Sequence, residues 1–204
     1  MERLLDRVHG RWVHGRRVEV LSRHLAELTP RGVEVLDVGC GDGQVGALIQ
    51  QHRPDVRVRG IDIAARPETH IPVQEFDGLT IPLEDDSVDV VMSVDVLHHA
   101  EQPSRLLAEM NRVAGRALVI KDVTPVGPFS DATLRFMDWI GNKRHGVPLP
   151  YLFWSQEEWR REFAALGLGV EDVRRRLGIY PLPFNLLFEK RMHFIARLGQ
   201  RAPR

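Results

Sequence analysis

Several features are scarce in this 204-residue sequence, and each scarcity excludes a class of protein. Cys40 is the single cysteine, which excludes an internal disulfide and leads us to expect a reducing, cytoplasmic setting. No apolar run approaches the roughly 20 residues of a membrane-spanning helix. The formal net charge is zero, which argues against general nucleic-acid binding. With 43% hydrophobic and 27% charged residues, the composition is that of one globular domain.

The balanced charge is unevenly distributed along the chain. Residues 1–31 hold seven arginines and four acids, whereas residues 174–204 hold eight lysines and arginines and a single acid, Glu189. Basic ends of this kind can contact an anionic partner, such as a membrane surface or phosphates. The alternative is that they are ordinary solvated helix faces.

Short runs of β-branched residues alternate with helical patterns through the first part of the chain. They predict strands at 33–38, 56–61, 71–76, 88–94 and 116–122, and helices at about 44–52 and 103–113. Strands that alternate with helices are typical of a parallel sheet with crossover connections. Two later strands, at about 169–176 and 192–198, bring the predicted total to seven. In such a sheet, ligands bind at the carboxyl ends of the strands.

The segments around this core have their own patterns. Apolar spacing from residue 2 to residue 28 predicts two helices interrupted near Gly15, and residues 1–31 are assigned to an N-terminal helical cap. Residues 33–122 form the predicted core. Residues 125–159 hold half of the aromatic residues and are interrupted by prolines, which indicates an insert between the fifth strand and the last helix. Residues 160–198 complete a single domain with the last helix and strands.

The last predicted helix has recognisable signals at both ends. Ser155 and Glu158 have the spacing of a capping box, in which each residue bonds the backbone N–H of the other. Gly167 is placed to end the helix, since glycine tolerates the left-handed conformation that follows many helices.

The stretch VLDVGCGDGQVG, residues 35–46, follows the first predicted strand and fits two kinds of ligand. Three glycines beginning at Gly41 have the G-x-G-x-x-G spacing of a dinucleotide turn. The strand ends earlier, however, and in the frame that begins at Gly39 the third glycine is replaced by Gln44. Asp37, at the end of the strand, would repel a pyrophosphate and attract an ammonium or sulfonium group. The second kind of ligand is therefore favoured.

The segments VLDVGCGDG, GIDIA, FDG and SVDVVMSVDVLHH, in this order, resemble the successive motifs of class I S-adenosylmethionine-dependent methyltransferases of the small-molecule, type 11-like group. The resemblance covers residues 33–122. It implies an α/β fold with a Rossmann-like, doubly wound sheet of seven strands, of which the last is antiparallel. It also implies S-adenosylmethionine as cofactor, S-adenosylhomocysteine as product, and a small-molecule substrate.

The same resemblance implies which residues contact the cofactor: Asp37, Gly39, Cys40, Gly41, Gly43, Asp62, Ile63, Asp77, Gly78, Ser93 and Val94. The first five would face its methionine part. Asp62 would hold the ribose hydroxyls, and Ile63 would lie against the adenine. Asp77 would accept from the adenine amino group, with Gly78 close by. The last two would contact the methionine end through their backbone.

Three histidines are candidates for a general base or a polar pocket wall. His98 and His99 follow the fourth predicted strand, and His145 lies in the aromatic insert. The resemblance also implies that the insert, residues 125–159, covers the substrate. Its composition favours an apolar or aromatic acceptor, which we expect to be methylated at oxygen. The candidate pocket residues are Asp138, Trp139 and Tyr151.

The sequence also bears on other chemistries. The only cysteine lies in the cofactor turn, which excludes cysteine-dependent methylation of cytosine. Asp95 and Asp122 follow two strands, where catechol-type methyltransferases bind magnesium, but Val123 stands where those enzymes have asparagine, so no metal is expected. Two alternatives for the function are a non-catalytic S-adenosylmethionine-binding or regulatory protein and a nicotinamide-dependent oxidoreductase.

Overall fold

The computed structural model describes residues 2–64, 66–142, 151–182, 185–189 and 191–200. The helices are α1 (Glu2–Leu28), α2 (Gln44–His52), α3 (Pro103–Val113), α4 (Ser130–Asn142), α5 (Gln156–Ala165) and α6 (Asn185–Phe188). The strands are β1 (Glu34–Val38), β2 (Arg57–Asp62), β3 (Val73–Glu75), β4 (Val88–Val94), β5 (Ala114–Val123), β6 (Leu168–Arg174) and β7 (His193–Gln200). A single 3-10 turn, Leu97–His99, follows β4.

The seven strands form one sheet in the order β3-β2-β1-β4-β5-β7-β6. Strands β1 to β5 pair in parallel, whereas β7 is antiparallel to both β5 and β6. Because β1 lies between β2 and β4, the direction of winding reverses at β1, and a crevice opens there at the carboxyl ends of the strands. The predicted seven-stranded, doubly wound fold with an antiparallel last strand is confirmed.

Helices cover both faces of the sheet, and a separate apolar core lies under each. On one face, α1 and α2 bury residues such as Leu21, Leu25 and Ile49 against β1, β2 and β4. On the other, α3 and α5 bury residues such as Leu107 and Trp159. A sheet covered on both faces explains why its central strands are nearly continuous apolar runs. Within the described ranges, no helix is both long enough and apolar enough to cross a bilayer.

The structure corrects several predicted elements. The N-terminal segment is one continuous helix, α1, and not two helices, because Gly15 lowers helix stability by only about 1 kcal/mol and does not interrupt the hydrogen bonding. Strand β3 has three residues, fewer than predicted. Helix α4 was not predicted at all, although the insert contains it. The capping box of α5 is confirmed, with the backbone N–H of Ser155 2.7 Å from a carboxylate oxygen of Glu158.

Arg53 fixes the end of α1 against the end of α2. Its guanidinium donates to the carbonyls of Ala26, Thr29 and Pro30 over 2.8–3.1 Å and to the carboxylate of Asp55 at 2.7 Å. Backbone carbonyls at a helix C-terminus have no partner within the helix, so a planar group with five donors is suited to satisfy several of them together. This contact sets the position of α1 over the sheet.

We expect Arg53→Met to lower the free energy of unfolding by at least about 2 kcal/mol, because buried carbonyls lose charged donors. Arg53→Lys should recover only part of the loss, since an ammonium cannot span the same acceptors. Arg57→Met, at an exposed arginine on β2, is the matched control and should change stability by less than about 0.5 kcal/mol. Urea unfolding measures all three. Equal losses in Arg53→Met and Arg57→Met would contradict this role.

Candidate active site

Hydrogen bonds connect the turn after β1 to the end of β2. The N–H of Gly39 donates to the carbonyl of Ile61 at 2.7 Å, and the N–H of Gly41 donates to a carboxylate oxygen of Asp62 at 2.7 Å. The turn then enters α2, and the N–H of Gly43 donates back to the carbonyl of Cys40 at 2.9 Å. The predicted cofactor residues of β1 and β2 are therefore in direct contact.

Three glycines of this turn have left-handed backbone, and two of them, Gly41 and Gly43, differ in what surrounds them. Gly41 has φ +61, and a Cβ added there would meet no atom within 4 Å. Gly43 has φ +76, and a Cβ added there would lie 2.4 Å from Cγ1 of Ile71. The surface over Gly41 is therefore open to a ligand, whereas Gly43 is required by packing inside the protein.

Cys40 packs inward from the same turn. Its Sγ would lie 2.3 Å from a Cβ added to Gly60 on β2, so only glycine fits opposite it. Burial, together with the charges of Asp37 and Asp62, raises the pKa of the Cys40 thiol well above its usual value. The side chain is therefore a neutral packing group in the wall of the predicted cofactor site.

Asp37 is the most unusual residue at this edge of the sheet. Its side chain is only 2% exposed, and among the described residues no group donates a hydrogen bond to its Oδ1. Burial, with a smaller contribution from the charge of Asp62, raises its pKa to about 8. A buried carboxylate without a cation is costly, so the geometry favours a cationic ligand beside it.

Further buried polar atoms without a hydrogen-bond partner in the described chain lie at neighbouring strand ends. They are Oγ of Ser93, at the end of β4, and Oδ2 of Asp122 and Oγ1 of Thr124, at the end of β5. Ser93 is aligned with Val38 on β1, so these atoms and Asp37 share one edge of the sheet. Buried polar groups are nearly always hydrogen-bonded, so a row of exceptions points to a polar ligand.

The predicted ribose and adenine residues form one wall beside β2. Both carboxylate oxygens of Asp62 accept backbone N–H groups, from Gly41 and from Ala64, and each keeps capacity for a further donor. Ile63 is 59% exposed, and its Cγ2 would lie 3.0 Å from a Cβ added to Gly78. An exposed apolar side chain next to a glycine offers a flat surface on which a base can stack.

Asp77 has a role in its own loop. Its Oδ1 accepts the N–H groups of Leu79 and Thr80 at 2.8 and 2.7 Å, and these hydrogen bonds lower the pKa of the carboxyl. The carboxylate thereby holds the loop that presents Gly78, and its contact with adenine stays a prediction.

Asp95 is the centre of an ion-pair network. Its carboxylate bonds Lys121 on β5, which is fully buried, and Arg17 on α1. Although burial opposes it, the charges of Lys121 and Arg17 hold the pKa of Asp95 far below its usual range. Asp95 has φ +57, which non-glycine residues rarely adopt, and the two ion pairs hold it there. The network ties α1 to the end of the sheet.

His193 on β7 extends this network. Its Nδ1 lies 3.2 Å from Nζ of Lys121, and its Nε2 lies 3.2 Å from the carbonyl of Phe188. Burial, and then the charge of Lys121, lowers the pKa of His193 to about 3. The imidazole is therefore neutral, accepting from the lysine and donating to the carbonyl.

His98 and Asp122 form a second buried pair. Nδ1 of His98 lies 2.6 Å from Oδ1 of Asp122, and the side chains are 6% and 0% exposed. The N–H of Val123 also donates to that oxygen at 2.7 Å. Because an ionised carboxylate only accepts, the imidazole carries its proton on Nδ1 when neutral and presents a basic lone pair on Nε2. The other predicted histidine of this turn, His99, stacks on His98 with ring centroids 4.1 Å apart.

The aromatic insert lies over this pair. The ring of Phe153 is 5.5 Å from that of His98, and Tyr151 is 6.3 Å from Phe153. The guanidinium of Arg135 on α4 lies 5.0 Å from the centre of the Tyr151 ring. Apolar and aromatic groups therefore surround one side of the pair.

Of the other predicted pocket and catalytic residues, one has an exposed side chain and two have side chains outside the described part of the chain. Trp139 on α4 is 45% exposed. The side chain of Asp138 and the whole of His145 lie outside the described residues. Among the described histidines at this edge, His98 therefore has the geometry of a base most clearly.

Three side chains at this edge have ligand atoms within 4.8 Å of one another: Asp95, His98 and Asp122. Two cations already bond Asp95, and Nδ1 of His98 is occupied by its hydrogen bond to Asp122. This donor set is therefore better explained as an ion-pair network beside a hydrogen-bonded pair than as a magnesium site.

Two parts of this edge are absent from the residues predicted from the sequence. One is Lys121, although a charged residue within the apolar run LVIKDV is a signal that it must have a buried partner. The other is the role of Asp122, which the sequence indicates only as a possible metal ligand, since no periodicity shows that it bonds His98.

Comparison with known proteins identifies related sequences. Residues 36–117 match the family model of the methyltransferase domain. An uncharacterized methyltransferase from Mycobacteroides abscessus is 32% identical over 130 residues, which are 56% of this chain and 49% of that protein. One from Mycolicibacterium gilvum is 32% identical over 136 residues, 62% of this chain and 53% of that protein. The chain thus spans about half the length of these curated relatives.

Solved structures extend the similarity to the whole fold. A chain of the complex between the Haloferax volcanii Trm112 methyltransferase activator and the putative methyltransferase has a TM-score of 0.72 at 17% identity, and the alignment covers 96% of this chain and 94% of that one. Magnesium protoporphyrin IX methyltransferase from Synechocystis PCC 6803, with bound SAH, has a TM-score of 0.60 at 18% identity, covering 93% and 84%. At these identities the likeness concerns the fold.

The sheet order, the antiparallel β7 and the turn after β1 define the fold of a class I S-adenosylmethionine-dependent methyltransferase. Within that fold, residues 36–117 match the methyltransferase domain family that the sequence motifs indicated, and S-adenosylmethionine is the cofactor of this class.

We expect Asp37→Asn to weaken binding of S-adenosylhomocysteine at least about tenfold at pH 7.5, because the buried carboxylate attracts its ammonium. Below pH 8 the unliganded Asp37 is protonated and must release its proton on binding. The affinity of the wild type should therefore fall between pH 7.5 and pH 6, by up to about tenfold per pH unit. Asp37→Asn should lack this slope. Isothermal titration measures both effects.

The same substitution should raise the melting temperature of the unliganded protein at pH 7.5. A carboxyl whose folded-state pKa is raised costs stability above its unfolded pKa of about 3.9, and the cost grows until about pH 8. Asp42→Asn, at an exposed carboxylate of the same turn, is the matched control and should change neither property much. Unchanged affinity in a folded Asp37→Asn variant would contradict the proposed contact.

The two glycines give a further prediction. Gly41→Ala should lower the free energy of unfolding by about 1–2 kcal/mol, the cost of left-handed backbone. Gly43→Ala should cost about 1–3 kcal/mol more, because its Cβ meets Ile71. Ile71→Ala should recover part of that additional loss in the double variant. Urea unfolding measures each, and equal losses for the two single variants would show that Ile71 does not enforce glycine at Gly43.

Proposed function

We propose that this protein transfers a methyl group from S-adenosylmethionine to an oxygen atom of a small apolar or aromatic acceptor. The observation that carries the proposal is the pair of His98 and Asp122, buried at the same strand ends as Asp37 and lying under the aromatic insert. Binding of the cofactor at one end of this edge would place an acceptor beneath the insert. A cytoplasmic setting and the absence of nucleic-acid partners are part of the same proposal.

The residues of the first turn fit the cofactor. Asp37 would hold the ammonium, the open surface of Gly41 would let the methionine part touch backbone, and Asp62 would accept from ribose hydroxyls. When bound, the cofactor supplies a methyl group on a positively charged sulfur, which is already a strong electrophile. A pyrophosphate would meet a buried acid at Asp37, and this argues against the nicotinamide alternative.

His98 is suited to accept the acceptor's proton. A neutral imidazole with its proton on Nδ1 would take the proton of an acceptor hydroxyl on Nε2, and the oxygen would gain the methyl group as the bond between that carbon and the cofactor's sulfur breaks. The resulting imidazolium is stabilised by Asp122, which keeps its hydrogen bond to Nδ1 throughout. A carboxylate acceptor needs no such base, so the pair favours a hydroxyl. Phe153, whose ring lies 5.5 Å from that of His98, would help to exclude water from the reacting atoms.

We expect His98→Gln to lower kcat by about 10²–10⁴-fold, the usual contribution of a general base. Its affinity for S-adenosylhomocysteine should be retained. His99→Gln, one residue along the same turn, is the matched control and should lower kcat far less. Formation of S-adenosylhomocysteine from a panel of phenols and aliphatic alcohols measures turnover.

The pH profile separates a base from a structural side chain. In the wild type, kcat/KM should rise with pH through the titration of His98 and then level off, and this rise should be missing from the residual activity of His98→Gln. Equal turnover in His98→Gln and the wild type would contradict the base. Tight cofactor binding with no turnover across the panel would instead support a cofactor-binding or regulatory protein.

A further inference from the structure

A second concave site lies at the far end of the same edge of the sheet. Its volume is about 400 Å³, and its lining consists of four arginines: Arg174, Arg175, Arg176 and Arg191. The first is the last residue of β6, the next two follow it, and the fourth precedes β7. Strand β6 runs parallel to β5, because both are antiparallel to β7, so its end points to the same edge as the ends of β1, β4 and β5.

The site has more positive charge than the protein itself compensates. Arg174 pairs with Glu27 and donates to Nδ1 of His24 at 3.0 Å. Arg175, Arg176 and Arg191 have no ion-pair partner among the described residues. In addition, Nη1 of Arg175 is buried without a hydrogen-bond acceptor in that part of the chain. A buried guanidinium donor without an acceptor is costly, which indicates that a ligand supplies one.

A second basic hollow differs from the arginine site, because two of its arginines have partners within the protein. It is lined by Arg23, Ala26, Glu27, Arg31, His52 and Arg53. There Arg53 is satisfied by three carbonyls and Asp55, and Arg23 pairs with Glu19. That hollow is explained by the docking of α1, whereas no such internal role accounts for the arginines after β6.

The arginine site is distinct from the cofactor turn. Strands β1 and β6 are four places apart in the sheet, and neighbouring strands are separated by about 4.8 Å, so the two sites lie about 19 Å apart along the edge. Arg174 is nonetheless level with Lys121, since both residues are aligned with Ile195 on β7. The site therefore flanks the candidate active site without overlapping the turn that receives the cofactor.

We propose that this arginine site binds a phosphate-type oxyanion, of the size of a diphosphate group. Four arginines line one hollow, and guanidinium groups match the paired oxygens of a phosphate better than lysine ammonium groups would. A hollow of about 400 Å³ is within the usual range of small-molecule sites. The phosphate can belong to a soluble compound or to a lipid headgroup, and binding at this site does not depend on methyl transfer.

The test uses the full chain with inorganic pyrophosphate in isothermal titration. The wild type should bind it saturably, and Arg175→Gln/Arg176→Gln should bind it at least about tenfold more weakly, since two charge-assisted contacts are lost. Arg57→Gln, on the opposite edge of the sheet, is the matched control and should bind as the wild type does. The affinity for S-adenosylhomocysteine should be the same in all three, which also confirms that the variants fold.

A second arm distinguishes the source of the phosphate. Co-sedimentation with vesicles of phosphatidylglycerol, compared with vesicles of phosphatidylcholine, tests a lipid headgroup. Binding to the anionic vesicles that is lost in Arg175→Gln/Arg176→Gln assigns the site to a lipid, and pyrophosphate binding alone assigns it to a soluble compound. Absence of both, or equal binding by the double variant and Arg57→Gln, would overturn the proposal. If the double variant fails to fold, Arg176→Gln/Arg191→Gln at two exposed arginines replaces it.

Discussion

The cost of burying the carboxylate of Asp37 dominates the site at the end of β1. Among the described residues no cation pairs with it, and burial raises its pKa to about 8. Natural folds rarely retain such a cost without a use, because one or two kcal/mol is a large part of the net stability of a domain. The surrounding turn follows from this constraint: open backbone over Gly41, a neutral packing thiol at Cys40, and a second acid, Asp62, facing the hydroxyl-binding side.

The same edge contains a buried acid that the protein does compensate. Asp95 bonds both Lys121 and Arg17, and a neutral His193 satisfies a further donor of the lysine. Asp95 and Asp37 differ in whether the chain itself supplies the counter-charge. A buried acid with a counter-charge in the chain has a structural role, and one without it is available to a ligand. By this criterion Asp95 positions α1 over the sheet, whereas Asp37 is left for a ligand. The pair of His98 and Asp122 is intermediate between Asp95 and Asp37. Its imidazole becomes a counter-charge for Asp122 only when it takes a proton.

Much of the fold could be predicted from the sequence because burial on both faces makes each strand an apolar run, and the strand ends place Asp37 and Asp62 at one edge. Helix α4 was not predicted, because the prolines and aromatic residues of the insert do not show a clear helical spacing. The break expected near Gly15 does not occur, since one glycine costs a helix less than its neighbours contribute. The partner of His98 could not be predicted, because it depends on how β4 and β5 are aligned across the sheet, and no local pattern records that alignment.

The arginines at the end of β6 are buried or clustered cations, the opposite case to the buried acids. They lie in the segment RRRLGIY, whose sequence alone predicts a solvated basic run. Only the position of β7 beside β6 makes that segment part of a hollow. The buried Nη1 of Arg175 is the positive counterpart of Oδ1 of Asp37, since each lacks a partner in the described chain. The two atoms lie toward opposite ends of one sheet edge and call for ligands of opposite charge. A molecule that reached from the acceptor position to the arginines would therefore be elongated, with an apolar body beneath Phe153 and an anionic end beside β6.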